Sequence, residues 1–133
     1  MKPYYSKKVL QHFTNPKNFG KLKKPDGIGK VGNPRCGDLM ELSIKVKETK
    51  GREIIQDIKF QTLGCAAAVA TSDMICEMVK GKKLDDALKV GYQDVADELG
   101  YLPQVKVHCA HLAQEGLKAA VHDYKQNKLK KNN

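Results

Sequence analysis

The chain has 133 residues, of which 41% are hydrophobic and 29% are charged, and it carries 24 Lys and Arg against 15 Asp and Glu. This length favours a single domain, 1–133, and the composition is too apolar for a disordered chain. The sequence contains no run of 18 apolar residues and no apolar N-terminal segment typical of a signal peptide. We therefore predict a cytoplasmic protein without a membrane span.

The positive charge is concentrated at the two ends of the chain. Residues 1–35 contain nine Lys and Arg and one Asp, and residues 125–133 contain four Lys, whereas residues 36–124 contain fourteen acids and eleven basic residues. Only Arg35 and Arg52 offer the planar guanidinium that suits phosphates and base edges, and only 6% of the residues are aromatic. These features argue against nucleic-acid binding and favour an acidic protein partner.

The N-terminal segment is predicted to be a short helix followed by a loop. Residues 6–13 form the helix, with Ser6 as its N-cap and an apolar stripe made of Val9, Leu10 and Phe13. Seven Gly and Pro residues between positions 15 and 36 indicate loop structure, within which residues 27–31 carry a weak strand signal.

Two strands follow and are predicted to form an antiparallel hairpin. Apolar and polar side chains alternate in residues 38–47, which is typical of a strand with one solvated face. Residues 48–52 have turn composition, and the second strand then places Ile54, Ile58 and Phe60 on one face.

The C-terminal half is predicted to be helical. Helices are expected over 66–80, 84–90 and 93–99, and a long amphipathic helix is expected to start at Cys109 and to fray over 125–133. Residues 105–107 are predicted to be extended, and residues 1–5 and 126–133 to be flexible. Strands followed by helices predict an α+β fold, a small antiparallel β-sheet of about three strands with helices packed on one face.

Three of the four cysteines are predicted to lie at junctions between elements, where functional residues concentrate. Cys36 falls in a Gly- and Pro-rich turn, Cys65 at the start of a helix after the second strand, and Cys109 at the start of the last helix. The N-terminus of a helix favours the thiolate, which binds metals and attacks sulfur. Cys76 lies three turns from Cys65, roughly 16 Å away at about 1.5 Å per residue, and is predicted to be a small buried hydrophobic residue.

Two further residues accompany these cysteines. Asp38 follows Cys36 by two positions and His108 directly precedes Cys109, so three thiolates plus one carboxylate or imidazole could bind zinc or an iron–sulfur cluster. The spacing alone also permits three unrelated thiols, with Asp38 as a turn residue and His108 bonded to a loop. Surface positions are predicted for His12, His111 and His122.

Besides the shorter Val79-Lys80-Gly81-Lys82, four segments of the chain carry a specific resemblance to a known family. They are His12-Phe13-x-Asn15-Pro16-Lys17-Asn18-x-Gly20, Gly32-Asn33-Pro34-x-Cys36-Gly37-Asp38, Phe60-Gln61-Thr62-Leu63-Gly64-Cys65 and Val105-Lys106-Val107-His108-Cys109. The chain resembles the IscU/NifU family of iron–sulfur cluster assembly scaffolds, and its 43-residue gap between Cys65 and Cys109 resembles the IscU branch. The resemblance implies that Cys36, Cys65 and Cys109 bind the cluster and accept persulfide sulfur. It also implies that Asp38 and His108 are the other metal ligands.

The resemblance further implies a scaffold rather than an enzyme. A cysteine desulfurase of the IscS/NifS type would supply sulfur, iron would bind at the same site, and the resulting [2Fe–2S] cluster would pass to apo-proteins. The alternatives are a zinc-dependent sulfurtransferase of the SufU type, with Zn²⁺ held by the three cysteines and Asp38, and an adaptor with a structural metal. A heat-shock chaperone partner would bind Leu102-Pro103-Gln104-Val105-Lys106, where Gln104 replaces the second proline of the family's motif.

Overall fold

A three-stranded antiparallel sheet with helices around it makes up the part of the chain that the structure describes, residues 2–33 and 38–131, with the side chains of 2–32 and 39–131. The structure is a computed structural model. Its elements are, in chain order, α1 (Lys7–Thr14), β1 (Gly27–Asn33), β2 (Asp38–Thr49), β3 (Arg52–Leu63), α2 (Ala66–Val79), α3 (Leu84–Ala87), α4 (Tyr92–Glu98) and α5 (Val107–Lys131). A 3₁₀ turn, Gln104–Lys106, directly precedes α5. The predicted α+β fold is confirmed.

The sheet has the order β1-β2-β3 and buries one face. The alternation predicted for β2 is confirmed there, because Met40, Leu42 and Ile44 are buried. Across the ladder Leu42 lies opposite Phe60, and Ile44 lies opposite Ile58, so these pairs form one apolar layer. The weakly predicted strand is present as β1, which pairs antiparallel with β2.

A β-bulge changes which residues of β3 face the core. The register shifts after Lys45, so that β3 has one residue, Gln56, more than β2. An extra residue reverses the alternation of the strand from that point. The prediction that Ile54 shares the buried face with Ile58 is therefore wrong, and Ile55 is the fully buried residue instead.

Helices α5 and α2 cover the buried face of the sheet. α5 lies against β1 and β2, while α2 lies against β3 and α5. The approach of β1 to α5 depends on glycine, because a Cβ atom at Gly29 would lie 2.3 Å from the Gly116 carbonyl oxygen. The largest fully buried side chains of the core are Phe60, Leu42, Ile44, Ile55, Ile58, Ile75, Leu99 and Leu117.

The loop-rich segment between α1 and β1 crosses the outer face of the sheet. The Asn18 carbonyl accepts a hydrogen bond from the Phe60 N–H, and the Gly20 N–H donates to the Phe60 carbonyl. Further along, the Leu22 N–H donates to the Ser43 hydroxyl, which explains why this polar side chain is buried. The segment thereby runs from the sheet edge at β3 across the outer face to β2.

Helix α1 buries less apolar surface than predicted. The Ser6 hydroxyl accepts a hydrogen bond from the Val9 N–H at 3.1 Å, so the predicted N-cap is confirmed. Val9 is buried, but Leu10 and Phe13 are 45% and 42% exposed. The predicted stripe is wrong at these two positions, because α1 packs mainly on α2 and buries only a narrow face.

The segment before Cys109 is helical rather than extended. α5 begins at Val107, directly after the 3₁₀ turn, so the prediction for residues 105–107 is wrong. Their alternating apolar pattern suggested a strand, yet Val105 is 68% exposed and Pro103 is the N-cap of the turn.

The last helix extends further than the sequence predicted. It continues through Lys131, and Lys128 near its end bonds to Glu48 and Glu53 on the β2–β3 hairpin. These contacts hold a segment whose composition alone suggested fraying. The flexibility of 1–5 and 126–133 stays a prediction. None of the helices in the described ranges is long and apolar enough to cross a membrane.

Candidate metal centre

Two cysteine side chains meet where α2 and α5 begin. After Gly64 the chain enters α2 with Cys65 as its N-cap, and Cys109 lies in the first turn of α5. The Thr71 hydroxyl on α2 donates a hydrogen bond to the Cys109 carbonyl oxygen at 3.3 Å. The packing of α2 against α5 brings the two Sγ atoms to 3.9 Å.

The separation of these sulfur atoms suits two ligands of one metal ion. Two thiolates bound about 2.3 Å from a tetrahedral zinc or iron ion lie about 3.8 Å apart. At 3.9 Å the two Sγ atoms are not joined by a disulfide bond. A small cluster around them contains buried Ala67 and Ala68 and half-buried Tyr5 and Leu102. The site is thus partly enclosed by apolar groups, which limits its contact with water.

The environment of Cys65 favours its thiolate. Burial raises the pKa of this half-buried thiol, but the first-turn N–H groups of Ala68 and Ala67 oppose that effect. The Cys109 thiol and the Lys106 ammonium act in the same direction, and the pKa is lowered overall. The form of Cys65 that ligates metals and attacks sulfur is therefore more populated at neutral pH than in an isolated cysteine.

Lys106 and Tyr5 lie at the edge of this cysteine pair. The pKa of Lys106 is raised, first by its attraction to Cys65 and then by Tyr5, so the ammonium stays charged beside the sulfur. Burial and then Cys65 raise the pKa of Tyr5, so the phenol stays neutral. The site is consequently bordered by one cation and one uncharged hydroxyl.

His108 presents one ring nitrogen to Cys109. Its Nδ1 lies 3.0 Å from the Val105 carbonyl oxygen, which can only accept, so Nδ1–H is the donor. In the neutral imidazole the lone pair is then on Nε2, which lies 3.7 Å from the Cys109 Sγ. This nitrogen can bind a metal ion or accept a proton from the thiol.

The other two predicted ligands follow β1 in the sequence. Cys36 and the side chain of Asp38 lie outside the described residues. The Asp38 backbone begins β2 opposite Asn33, and the next residue, Leu39, pairs with Leu63. The start of β2 therefore lies at the same end of the sheet as the strand that leads into Cys65. The five-residue ligand set remains a prediction.

The fourth cysteine lies apart from this site. Cys76 is fully buried in α2, and burial raises the pKa of its thiol well above the usual value. The prediction that it is a small hydrophobic core residue is confirmed. His111 is exposed and stacks on Tyr92 with 3.7 Å between the ring centroids, and His122 is exposed.

The prediction of an unpartnered surface position is wrong for His12. This half-buried ring has its Nδ1 2.6 Å from a carboxylate oxygen of Asp73, which is buried in α2. Sequence reasoning missed the pair because 61 residues separate its members. The available signal was Asp73 itself, since an acid in a mostly apolar helix needs a hydrogen-bonding partner if it is buried.

The fold and this site define an α+β domain that presents thiols and an imidazole suited to soft metal ions. The chain matches the NifU-like N terminal domain family over residues 4–131. It belongs to that family, and the resemblance predicted from the four sequence segments is confirmed.

Several relatives are similar over most of their length. The iron–sulfur cluster assembly scaffold protein IscU 1 of Archaeoglobus fulgidus is 55% identical over 90% of this chain and 76% of its own. IscU of Escherichia coli is 46% identical over 93% of this chain and 96% of its own. The crystal structure of a NifU-like N-terminal domain from Brucella abortus, 22% identical, covers 96% of both chains with a TM-score of 0.65. A SufU protein from Fervidobacterium islandicum, 21% identical, covers 89% of this chain and 96% of its own with a TM-score of 0.70. These two structures show the shared fold.

Proposed function

We propose that this chain is a scaffold on which a labile [2Fe–2S] cluster is assembled and from which it passes to apo-proteins. The observation that carries the proposal is the 3.9 Å separation of the Cys65 and Cys109 sulfur atoms, with the His108 Nε2 3.7 Å from the second sulfur. The names of relatives at 46–55% identity support the same role. In this role the chain accepts sulfur and donates a cluster, and it is not a turnover enzyme.

Sulfur arrives, in this proposal, as a persulfide on a cysteine desulfurase of the IscS/NifS type. A scaffold thiolate attacks the terminal sulfur and forms a new S–S bond, while the bond to the desulfurase cysteine breaks and that cysteine leaves as a thiolate. The lowered pKa of Cys65 supports it as an acceptor. Cys36 and Cys109 are the other proposed acceptors.

Iron is the second substrate. Converting two transferred sulfurs to sulfide takes four electrons: two come from the two Fe²⁺ ions, which become Fe³⁺ in the cluster, and an external one-electron carrier protein supplies the other two. The proposed ligands of iron are Cys36, Asp38, Cys65, His108 and Cys109. A carboxylate and an imidazole hold an iron–sulfide core less firmly than thiolates do, which suits a cluster that has to leave.

Anaerobic reconstitution with Fe²⁺, cysteine, a cysteine desulfurase and a thiol reductant tests this function. We expect a visible chromophore with a sulfide-to-iron ratio near unity, its loss in Cys65→Ser, and its retention in the matched control Cys76→Ala. Asp38→Ala should hold the cluster longer and donate it more slowly. A protein that remains colourless and binds zinc tightly would contradict the scaffold function and indicate a SufU-type sulfurtransferase or a structural zinc site.

The proposed partners and compartment follow from this chemistry. The desulfurase and the apo-protein recipients are proposed to meet the chain at the end of the molecule where Cys65 and Cys109 lie. The segment Leu102-Pro103-Gln104-Val105-Lys106 is the proposed contact for a heat-shock chaperone, and Val105 within it is 68% exposed. A reducing cytoplasm is the proposed compartment, because it keeps the cysteine thiols reduced.

A further inference from the structure

A second group of metal-binding side chains lies away from the cysteines. Among the residues that the structure describes, His12, Asp73 and Glu77 are the one group of three His, Cys, Asp or Glu whose ligand atoms all lie within 4.8 Å of one another. Asp73 and Glu77 are one turn apart on α2, and His12 faces them from α1. Asp73 follows Cys65 by eight residues, about 12 Å along a helix, so this group is distinct from the cysteine site.

Asp73 holds the ring of His12 in one orientation. Its side chain is 1% exposed, and its Oδ1 accepts hydrogen bonds from the Asn18 backbone N–H at 2.9 Å and the Asn18 amide at 3.0 Å. Its Oδ2 lies 2.6 Å from the His12 Nδ1, which therefore donates. In the neutral ring the lone pair is on Nε2, directed away from Asp73. A carboxylate bonded in this way orients metal-binding histidines generally.

Glu77 lies opposite the available nitrogen of His12. Its Oε2 is 4.0 Å from the His12 Nε2, which is too long for a hydrogen bond. Two ligands about 2.1 Å from one metal ion lie about 3.0 to 3.4 Å apart, so the gap needs to close by under about 1 Å. The Glu77 side chain is 37% exposed and can rotate by that amount, whereas His12 is fixed.

The space next to these two side chains is open to solvent. A groove of about 400 Å³ is lined by Gln11, His12, Thr14, Asn15, Lys17, Asp73 and Glu77. This volume admits an ion together with the water molecules that would complete its coordination. Imidazole and carboxylate ligands suit first-row divalent ions such as Mn²⁺, Fe²⁺ and Zn²⁺.

We propose that His12 Nε2 and a Glu77 carboxylate oxygen bind a divalent transition-metal ion, with Asp73 as the buried carboxylate that orients His12. The metal joins α1 to α2 across the groove. This site is separate from the proposed cluster function and does not depend on it.

Titration with Mn²⁺, followed by NMR on the full chain, tests the proposal. Mn²⁺ is the probe because it prefers oxygen and nitrogen to thiolate ligands, and its paramagnetism broadens the signals of nearby nuclei. We expect the amide signals of α1 and of α2 around Asp73 to broaden before those around Cys65 and Cys109. Glu77→Gln should weaken Mn²⁺ binding about tenfold or more. Glu115→Gln, the same change at an exposed position on α5, should leave it unchanged.

Three results of the Mn²⁺ titration would overturn the proposal. They are broadening centred on the cysteines, broadening spread over exposed acids, and equal affinity in Glu77→Gln and the unchanged chain. The nitrogen chemical shift of His12 Nε2 at saturating Zn²⁺ is a separate test. A shift that shows this nitrogen still protonated would indicate an ion pair with Glu77 instead of a metal site. The Glu77→Gln chain keeps every cysteine, so its reconstitution reports on the cluster function separately.

Discussion

The contact between β1 and α5 connects the fold to the position of the cysteines, and Gly29→Ala tests it. A Cβ atom at Gly29 would lie 2.3 Å from the Gly116 carbonyl oxygen and 2.5 Å from the Ala120 amide nitrogen. Carbon–oxygen contacts are normally about 3.3 Å or longer, so the strand and the helix would have to separate by roughly 1 Å. Because both neighbours are backbone atoms, no side-chain rotation relieves the clash.

The expected cost follows from this geometry. A methyl group forced into a packed site costs about 1 to 3 kcal/mol, and contact with backbone on both sides places Gly29→Ala at about 2 to 3 kcal/mol. Each kcal/mol lowers the Tm by about 3 to 4 °C in a domain of this size, so we expect a loss of roughly 6 to 12 °C. Urea unfolding and a thermal melt measure the two quantities.

The displacement of α5 should also weaken metal binding at the candidate metal centre. Cys109 lies in the first turn of this helix, 3.9 Å from the Cys65 sulfur, so Zn²⁺ affinity should fall together with stability. Gly91→Ala is the matched control, because its added Cβ lies no closer than 3.8 Å to Asp94, and the change at this N-cap of α4 should cost under about 1 kcal/mol. If Gly29→Ala matched Gly91→Ala in stability and in Zn²⁺ affinity, the reasoning would be refuted.

Two further predictions concern single contacts. Tyr124→Phe removes the phenol that donates to Glu53 and should lower the free energy of unfolding by about 1 kcal/mol in urea; an unchanged value would show that this bond adds no stability. The lowered pKa of Cys65 predicts that its alkylation by iodoacetamide has a lower pH midpoint than that of a cysteine in an unstructured peptide, and Lys106→Gln should raise this midpoint. Cys76 is buried and its pKa is raised, so it should stay unmodified in the folded chain. Mass spectrometry measures the labelling at each cysteine, and equal labelling of Cys65 and Cys76 would contradict both expectations.

The parts of the fold that the sequence predicted are those set by local patterns. The alternation of β2 identified its buried face because Met40, Leu42 and Ile44 follow a period of two without interruption. The same rule failed in β3, because the bulge at Gln56 is a property of the ladder between two strands. Nothing in the local pattern distinguished Ile54 from Ile55.

The candidate site was predictable only in part. Helix-start signals placed Cys65 and Cys109 at element junctions, and the structure brings their sulfur atoms together. The 43-residue gap between them carries no information about distance, so the expectation that they meet came from the family resemblance. The orientation of His108 was also beyond sequence reasoning, since it depends on the 3₁₀ turn that contains Val105.

The N-terminal motif that supported the resemblance has a structural explanation in one buried carboxylate. Burial of Asp73 is costly unless its oxygens are hydrogen-bonded, and its partners are two residues of that motif, His12 and Asn18. Removing one partner from such a buried group costs about 3 to 5 kcal/mol when the group is charged, so the motif residues and Asp73 stabilise one another. Because α1 is thereby fixed to α2, the residue that precedes its cap, Tyr5, is held near Cys65, packed against the cluster that contains Cys109. The motif thus positions the N-terminal segment beside the candidate metal centre, and it contributes no ligand to that centre.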